Sequence, residues 1–235
     1  MRKYINHIPV DILSYSEILG QISLFIQTGK PHQIVTINSL MYNALLDDAE
    51  LRETVTKSPL VIPDSIGIVY AVGYLFGIKC RRTTGIDLIH ELCRTKSRLF
   101  MLGAKQDIIE SAVDKLKAAF PGVNIAGYRN GYFSREEENE VIELIRNSKS
   151  NILLAGLNSP FQEKWLYNNL NRFNVQIVMG VGGSFDVISG KLRRAPHIMQ
   201  NLGIEWLYRL AQEPWRINRM RDLPKFVINI LKIKQ

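Results

Sequence analysis

The stretch Leu60-Val61-Ile62-Pro63-Asp64-Ser65-Ile66-Gly67 decides how this chain is read. Leu60 to Ile62 is a short apolar run between Pro59 and Pro63, which predicts a brief buried strand. Pro63 has no N–H to donate, so the ladder stops there. Ser65 and Gly67 then open an apolar segment, Ile66 to Ile78, that predicts a buried helix. Asp64 is left alone between the two. A carboxylate in that position is costly unless it has a task or a partner. It is either the N-cap of the helix beginning at Ser65 or a catalytic group.

Working outward, strands and helices alternate. Ile8 to Leu13 reads as a strand, and Ser14 to Glu17 matches a capping box ahead of a helix that ends at Gly29. Gln33 to Ile37 is β-branched and short, a second strand, with Asn38 and Ser39 as cap candidates. Arg98 to Leu102, Val123 to Tyr128, Asn151 to Ala155 and Val175 to Met179 read as further strands. A helix with clear 3.6-residue periodicity lies at Ile108 to Phe120, and Ser134 to Glu137 is a second capping box. Several strands are apolar nearly throughout. The pattern predicts an α/β fold, a Rossmann-like, mainly parallel sheet with helices on both faces. Near Lys191 the composition shifts, which divides the chain into a core, residues 1–195, and a basic helical appendage, residues 196–235.

The totals narrow the function. The chain has 235 residues, 46% of them apolar, enough for one large domain with an appendage. Two cysteines, Cys80 and Cys93, make no disulfide framework and point to a reducing cytosol. The four histidines are scattered, and no metal-ligand spacing occurs. The N-terminal residues have no apolar core of signal-peptide length. The most apolar stretch, Ser65 to Ile78, is too short to span a bilayer. Ten Lys or Arg against three acids in residues 191–235 account for +7 of the net +8. A tail of that charge calls for an anionic partner. Its apolar faces, with Trp206 on one and Phe226 on another, suit a membrane interface or packing onto the core. A nucleic-acid groove fits less well, because aromatic residues are not interleaved with the basic ones.

In open α/β sheets, ligands bind beyond the carboxyl ends of the strands. Those ends carry Thr36 and Asn38; Asp64; Gly103 and Gln106; Gln162; and Gly182 and Gly183. The basic loop after the central helix adds Arg82 and Asp87. Glycine-bearing strand ends and helix N-termini fit a nucleotide diphosphate. The G-x-G-x-x-G fingerprint, a Walker lysine and a D-x-D pair are all missing, so no nicotinamide cofactor and no metal clamp are expected. Arg82, Arg209, Arg216 and Arg219 would balance a leaving diphosphate instead.

The segments Pro63-Asp64-Ser65-Ile66-Gly67, Thr84-Gly85-Ile86-Asp87, Gly131-Tyr132-Phe133, Pro160-Phe161-Gln162-Glu163-Lys164-Trp165, Gly180-Val181-Gly182-Gly183-Ser184-Phe185-Asp186, Lys191-Leu192-Arg193-Arg194-Ala195-Pro196 and Leu202-Gly203-Ile204-Glu205-Trp206-Leu207-Tyr208-Arg209-Leu210 resemble the WecG/TagA/CpsF glycosyltransferases, in order through nearly the whole chain. The resemblance implies an inverting, metal-independent transferase without a cofactor. It would move N-acetylmannosamine from a UDP-sugar to undecaprenyl-diphosphate-linked N-acetylglucosamine, in bacterial cell-wall or surface-polysaccharide synthesis. Other branches of the family use UDP-mannosaminuronic acid or a UDP-hexose. The expected setting is the cytoplasmic face of the plasma membrane, with peripheral attachment through the appendage, and relatives self-associate. Asp64 matches the family's proposed base and Thr36 a nearby residue tied to activity. Arg82 and Gln162 match pocket residues, and Arg209, Arg216 and Arg219 resemble arginines that meet the diphosphate. With an ordinary pKa, Asp64 would be ionised at neutral pH.

This sequence departs from the family at Ser39, where Pro or Ala is usual, and at Ser65, where Gly is. It departs again at Asn158-Ser159-Pro160-Phe161-Gln162-Glu163, in place of G-x-P-K-Q-E. The sugar identity stays open at these positions. A non-catalytic protein that binds nucleotide-sugars or lipid head groups would carry many of the same features.

Overall fold

The computed structural model describes residues 1–233, the side chains of Asn201 and Arg219 excepted. The chain opens with a hairpin, β1 (Arg2–Ile5) and β2 (Ile8–Asp11), followed by helix α1 (Tyr15–Gln27). Next come β3 (His32–Ile37), α2 (Ser39–Asp47), α3 (Ala49–Lys57), β4 (Leu60–Pro63), α4 (Ile66–Phe76) and α5 (Gly85–Cys93). The second half runs β5 (Arg98–Gly103), α6 (Gln106–Ala119), β6 (Asn124–Arg129), α7 (Glu138–Asn147), β7 (Ile152–Gly156), α8 (Phe161–Asn168), β8 (Ile177–Gly180) and α9 (Ser184–Ile188). The tail forms α10 (His197–Asn201), α11 (Glu205–Gln212), a short 3₁₀ turn, α12 (Ile217–Met220) and α13 (Asp222–Ile233).

Six strands make one parallel sheet in the order β4-β3-β8-β7-β5-β6. Alternation along the strands separates its two faces. Ile34, Ile62, Met101, Leu154 and Met179 pack against α1, α5, α6 and α9. Val35, Ile37 and Val61 turn to the other side, beneath α2, α3, α4 and α13. Phe100, Leu102, Leu153 and Val178 face α7 and α8. The α/β sandwich expected from the sequence is therefore the fold.

Three local expectations change. The strand at Ile8 is half of a hairpin, because Asn6 and His7 adopt positive φ and turn the chain back onto Arg2–Ile5. Asp64 is not a cap: the N-cap of α4 is Ser65, whose hydroxyl accepts from the Ile68 N–H. Finally, α4 is buried along one face only, with Tyr70 and Tyr74 exposed on the other. The periodicity of an almost wholly apolar helix does not say which face is left uncovered.

The hairpin seals the edge of the sheet. Arg2 and Asp11, opposite each other in register, form a two-pronged ion pair at 2.9 and 2.7 Å. The Asp11 carboxylate also accepts from the Val61 N–H at 2.7 Å, and Arg2 donates to the carbonyls of Ser58 and Pro59. One buried carboxylate thus satisfies an edge-strand donor that would otherwise be orphaned. Asp11→Ala is expected to cost about 2–3 kcal/mol, because it leaves a buried N–H and a guanidinium unpaired. Asp11→Asn, which keeps an acceptor, should cost less in the same denaturant titration.

Candidate active site

Strand order decides which loops meet. The chain moves from β3 to β4 at one edge and then crosses to β5 in the other half, so the loops diverge beside β3. The ends of β3, β4, β7 and β8 surround a cleft of about 480 Å³, closed over by the tail. Thr36 comes from β3 and Asn38 follows it, Asp64 follows β4, Leu157 to Pro160 with Gln162 and Glu163 follow β7, and Val181 to Ser184 follow β8. The tail contributes Gly203, Glu205, Trp206, Arg209, Arg216 and Asp222.

Asp64 follows the last ladder contact of β4, and its N–H donates to the Ile37 carbonyl at 2.8 Å. Relieved of capping by Ser65, its carboxyl lines the cleft. Burial raises its pKa most, and the negative charges of Glu205 and Asp87 push the same way. Arg82 and the Gly85 N–H favour the ionised form, and the balance leaves the pKa at about 7. The expectation of an ordinary, fully ionised aspartate is thereby corrected. Burial is the main cause, and Arg82 offsets it only in part: its Nε donates to the Asp64 main-chain carbonyl at 3.1 Å, and its terminal nitrogen is ion-paired with Glu205. The nearest cation is taken up by a carboxylate of the tail.

The remaining polar groups are held by backbone. Thr36 donates to the Gly180 carbonyl at 3.1 Å, and Asn38 caps α2 by accepting from the Leu40 and Met41 N–H groups. Gln162 Oε1 accepts from the N–H groups of Leu157 and Gly182, both at 3.2 Å, which directs its Nε2 to the Glu163 carboxyl at 2.6 Å. The side chain of Gln162 lies against Gly180 so closely that a Cβ there would collide with it. Gly183 likewise gives its space to the Arg209 guanidinium. Arg209 and Arg216 both pair with one carboxylate, Glu213, at 2.9 and 2.8 Å. Two guanidiniums on one carboxylate keep a net positive charge and a fixed pair of donor forks beside the cleft.

Other expected contacts sit elsewhere. Asp87 is outside the lining of the cleft. One Arg194 nitrogen donates to it at 2.9 Å, another is ion-paired with it at 2.7 Å, and Thr84 donates one further hydrogen bond. Burial raises the Asp87 pKa, but those bonds outweigh it and hold the carboxyl below its ordinary value. Gly103 and Gln106 belong to β5 and α6, which the strand order puts beyond β7 and away from the cleft. Gly103 is pressed against Gly156, and Gln106 bonds Glu110 and Asn130. The Arg219 side chain lies outside the described residues.

Four acids of the site have no role in the sequence reading: Glu163, Glu205, Glu213 and Asp222. Glu163 is 2% exposed, its second carboxylate oxygen has no partner among the described residues, and burial pushes its pKa up. Its position beside Gln162, on the first turn of a helix after a strand end, is the signal that could have found it. Two of the family departures turn out to touch: the Ser39 and Ser65 hydroxyls lie 3.1 Å apart, and Ser65 also accepts from the Ser39 N–H. Among the described residues no three His, Cys, Asp or Glu side chains are grouped as metal ligands.

Residues 3–235 match the model of the glycosyl transferase WecG/TagA/CpsF family. A Bacillus subtilis strain 168 protein, named N-acetylglucosaminyldiphosphoundecaprenol N-acetyl-beta-D-mannosaminyltransferase, is 34% identical over 203 residues, covering 85% of this chain and 78% of the relative. A Bacillus spizizenii protein of the same name is 32% identical over 235 residues, 95% of this chain and 90% of the relative. A third, from Staphylococcus aureus strain MW2, is 32% identical over 206 residues, 86% and 80% of the two chains. With the whole fold and nearly every residue of the cleft inside the matched region, the chain belongs to the WecG/TagA/CpsF family of glycosyl transferases.

Proposed function

We propose that this enzyme transfers N-acetylmannosamine from a UDP-sugar to an undecaprenyl-diphosphate-linked N-acetylglucosamine, inverting the anomeric centre in a single displacement. The relatives' names support the sugar and the acceptor. The observation that carries the mechanism is Asp64, an uncapped carboxylate in the cleft with a pKa of about 7. A base with that pKa takes a proton effectively at neutral pH. Asp64 accepts the proton of the acceptor hydroxyl as its oxygen attacks the anomeric carbon. The bond from that carbon to the UDP oxygen breaks, and UDP leaves with the electron pair. Arg209 and Arg216 meet the charge on the departing diphosphate without a metal ion. Gln162 and Thr36, both fixed by main-chain groups, orient the donor.

Residues 196–235 act as an appendage that completes the site and rests on the cytoplasmic face of the membrane. Its inner side is bound to the core: Phe226 meets Tyr42 edge-on at 5.4 Å, and Asn43 donates to the Asp222 carbonyl at 2.6 Å. Its outer side exposes Ile198, Leu202, Leu207, Trp215 and Ile217, apolar and aromatic groups suited to the lipid interface. No helix among the described residues is long and apolar enough to cross a membrane.

Asp64→Asn should lower kcat by about 10³-fold or more. The same change should stabilise the free enzyme. A folded-state pKa of about 7 against a model value of 3.8 means that ionising Asp64 costs stability as pH rises through that window. The variant should therefore gain about 1–2 kcal/mol at pH 8 and nothing at pH 4, read from denaturant midpoints. Wild-type turnover in the variant would remove Asp64 from the base role.

The pH dependence has a definite sign. kcat/KM should rise with unit slope up to pH about 7 and then level off, as the base ionises. Glu205→Gln removes a charge that raises the Asp64 pKa, so the acid limb should move to lower pH. An unmoved limb would contradict the assignment. Arg216→Ala should weaken UDP product inhibition by about tenfold, the loss of one charged hydrogen-bond fork. Incubation with UDP-N-acetylmannosamine and the lipid-linked acceptor separates transfer from mere binding.

A further inference from the structure

Beside the reaction cleft lies a second cavity of about 730 Å³, between α4 and α13. The two share Asn38, Leu40, Ser65, Ile66, Gly203 and Trp206 in their walls, so they lie side by side across a common rim. Their linings differ in kind. The cleft carries Arg82, Arg209 and Arg216, whereas among the described residues no Asp, Glu, Lys or Arg lines the second cavity. Its outer walls are Tyr70 and Tyr74 from α4 and Val227 and Leu231 from α13. All four are exposed, Tyr70 at 65% and Val227 at 54%. A contiguous apolar groove of this size, open to solvent, marks a binding site.

An occupant that fills both spaces at once needs a polar head for the cleft and an uncharged apolar chain for the groove. We infer that the groove seats the first isoprenoid units of the acceptor, with its diphosphate at the junction near Ser65 and Trp206. This rests on the transferase reading above. A flat membrane surface would meet the protruding side chains of the tail and has no use for a concavity beside the reaction cleft. A second copy of the chain would bury the groove without using its place beside the cleft.

The groove also explains the departure at Ser65. Ser65 stands at the boundary between the polar and apolar spaces, and its hydroxyl is held by Ser39 and by the first turn of α4. It therefore adds no free polar group to the groove. Gly67 keeps the floor low, because a Cβ there would strike Ser39 Oγ and approach Phe226 to 3.1 Å.

The test is calorimetric titration of the full chain, in detergent-free buffer, with farnesyl diphosphate and with methyl diphosphate. Farnesyl diphosphate should bind at least about tenfold more tightly. Val227→Asp and Leu231→Asp place a charge on exposed walls where folding is not at stake. Each should remove that preference and leave the affinities for methyl diphosphate and UDP unchanged. Equal affinities in the wild-type chain, or a preference untouched in both variants, would overturn the inference. Sedimentation of the same samples covers the self-association alternative: a two-chain species that Val227→Asp halves while the farnesyl preference persists would also overturn it. A tail preference in a chain that transfers no sugar would sink the transferase reading and support the groove. Transfer indifferent to tail length would do the opposite.

Discussion

The cleft depends on how one cation is shared. Arg82 stands close enough to Asp64 to favour its ionised form, yet its hydrogen bonds go to the Asp64 carbonyl and to Glu205. Had the guanidinium gripped the Asp64 carboxylate directly, the carboxylate would be held ionised and weakly basic. Diverted as it is, Arg82 leaves Asp64 desolvated and poised near neutrality. Glu205 belongs to α11, so the tail both roofs the cleft and adds to the proton affinity of the residue that follows β4. The core by itself would present a differently charged site.

The same economy of pairing recurs at the other side of the cleft. Glu213 holds Arg209 and Arg216 together, and Gly183 makes room for the first of them. On the proposed reading, a diphosphate would meet donors already oriented, and less side-chain freedom would be lost on binding. Gln162 is prepared in the same way by two main-chain N–H groups. The fold supplies these anchors because four strand ends converge there and two do not. An apolar groove between α4 and α13 adjoins the cleft across a shared rim, which gives the two together an amphiphilic outline.

Much of this was legible in the chain itself. Strand periodicity at Leu60 to Ile62 and Gln33 to Ile37, and capping chemistry at Ser14 and Asn38, are local signals, and they placed the sheet and the ends of its strands. What stayed hidden depends on strand order and on contacts across long separations. Gly103 looks equivalent to Gly182 until β5 is seen to lie beyond β7. Asp87 looks available until Arg194, more than a hundred residues later, takes it. Asp64 was the candidate cap, and only the geometry of the first turn gave that role to Ser65. Glu205 and Glu213 carry no local mark, because a charge on an amphipathic helix is ordinary until its partner is known.

Direct titration of the Asp64 carboxyl carbon by NMR, in the free enzyme, probes the account at its centre. A midpoint near pH 7 that falls when Glu205 is replaced by Gln is the expected result. A midpoint near 4, indifferent to Glu205, would contradict it, since Asp64 would then be an ordinary solvated aspartate and the tail would have no hold on the chemistry.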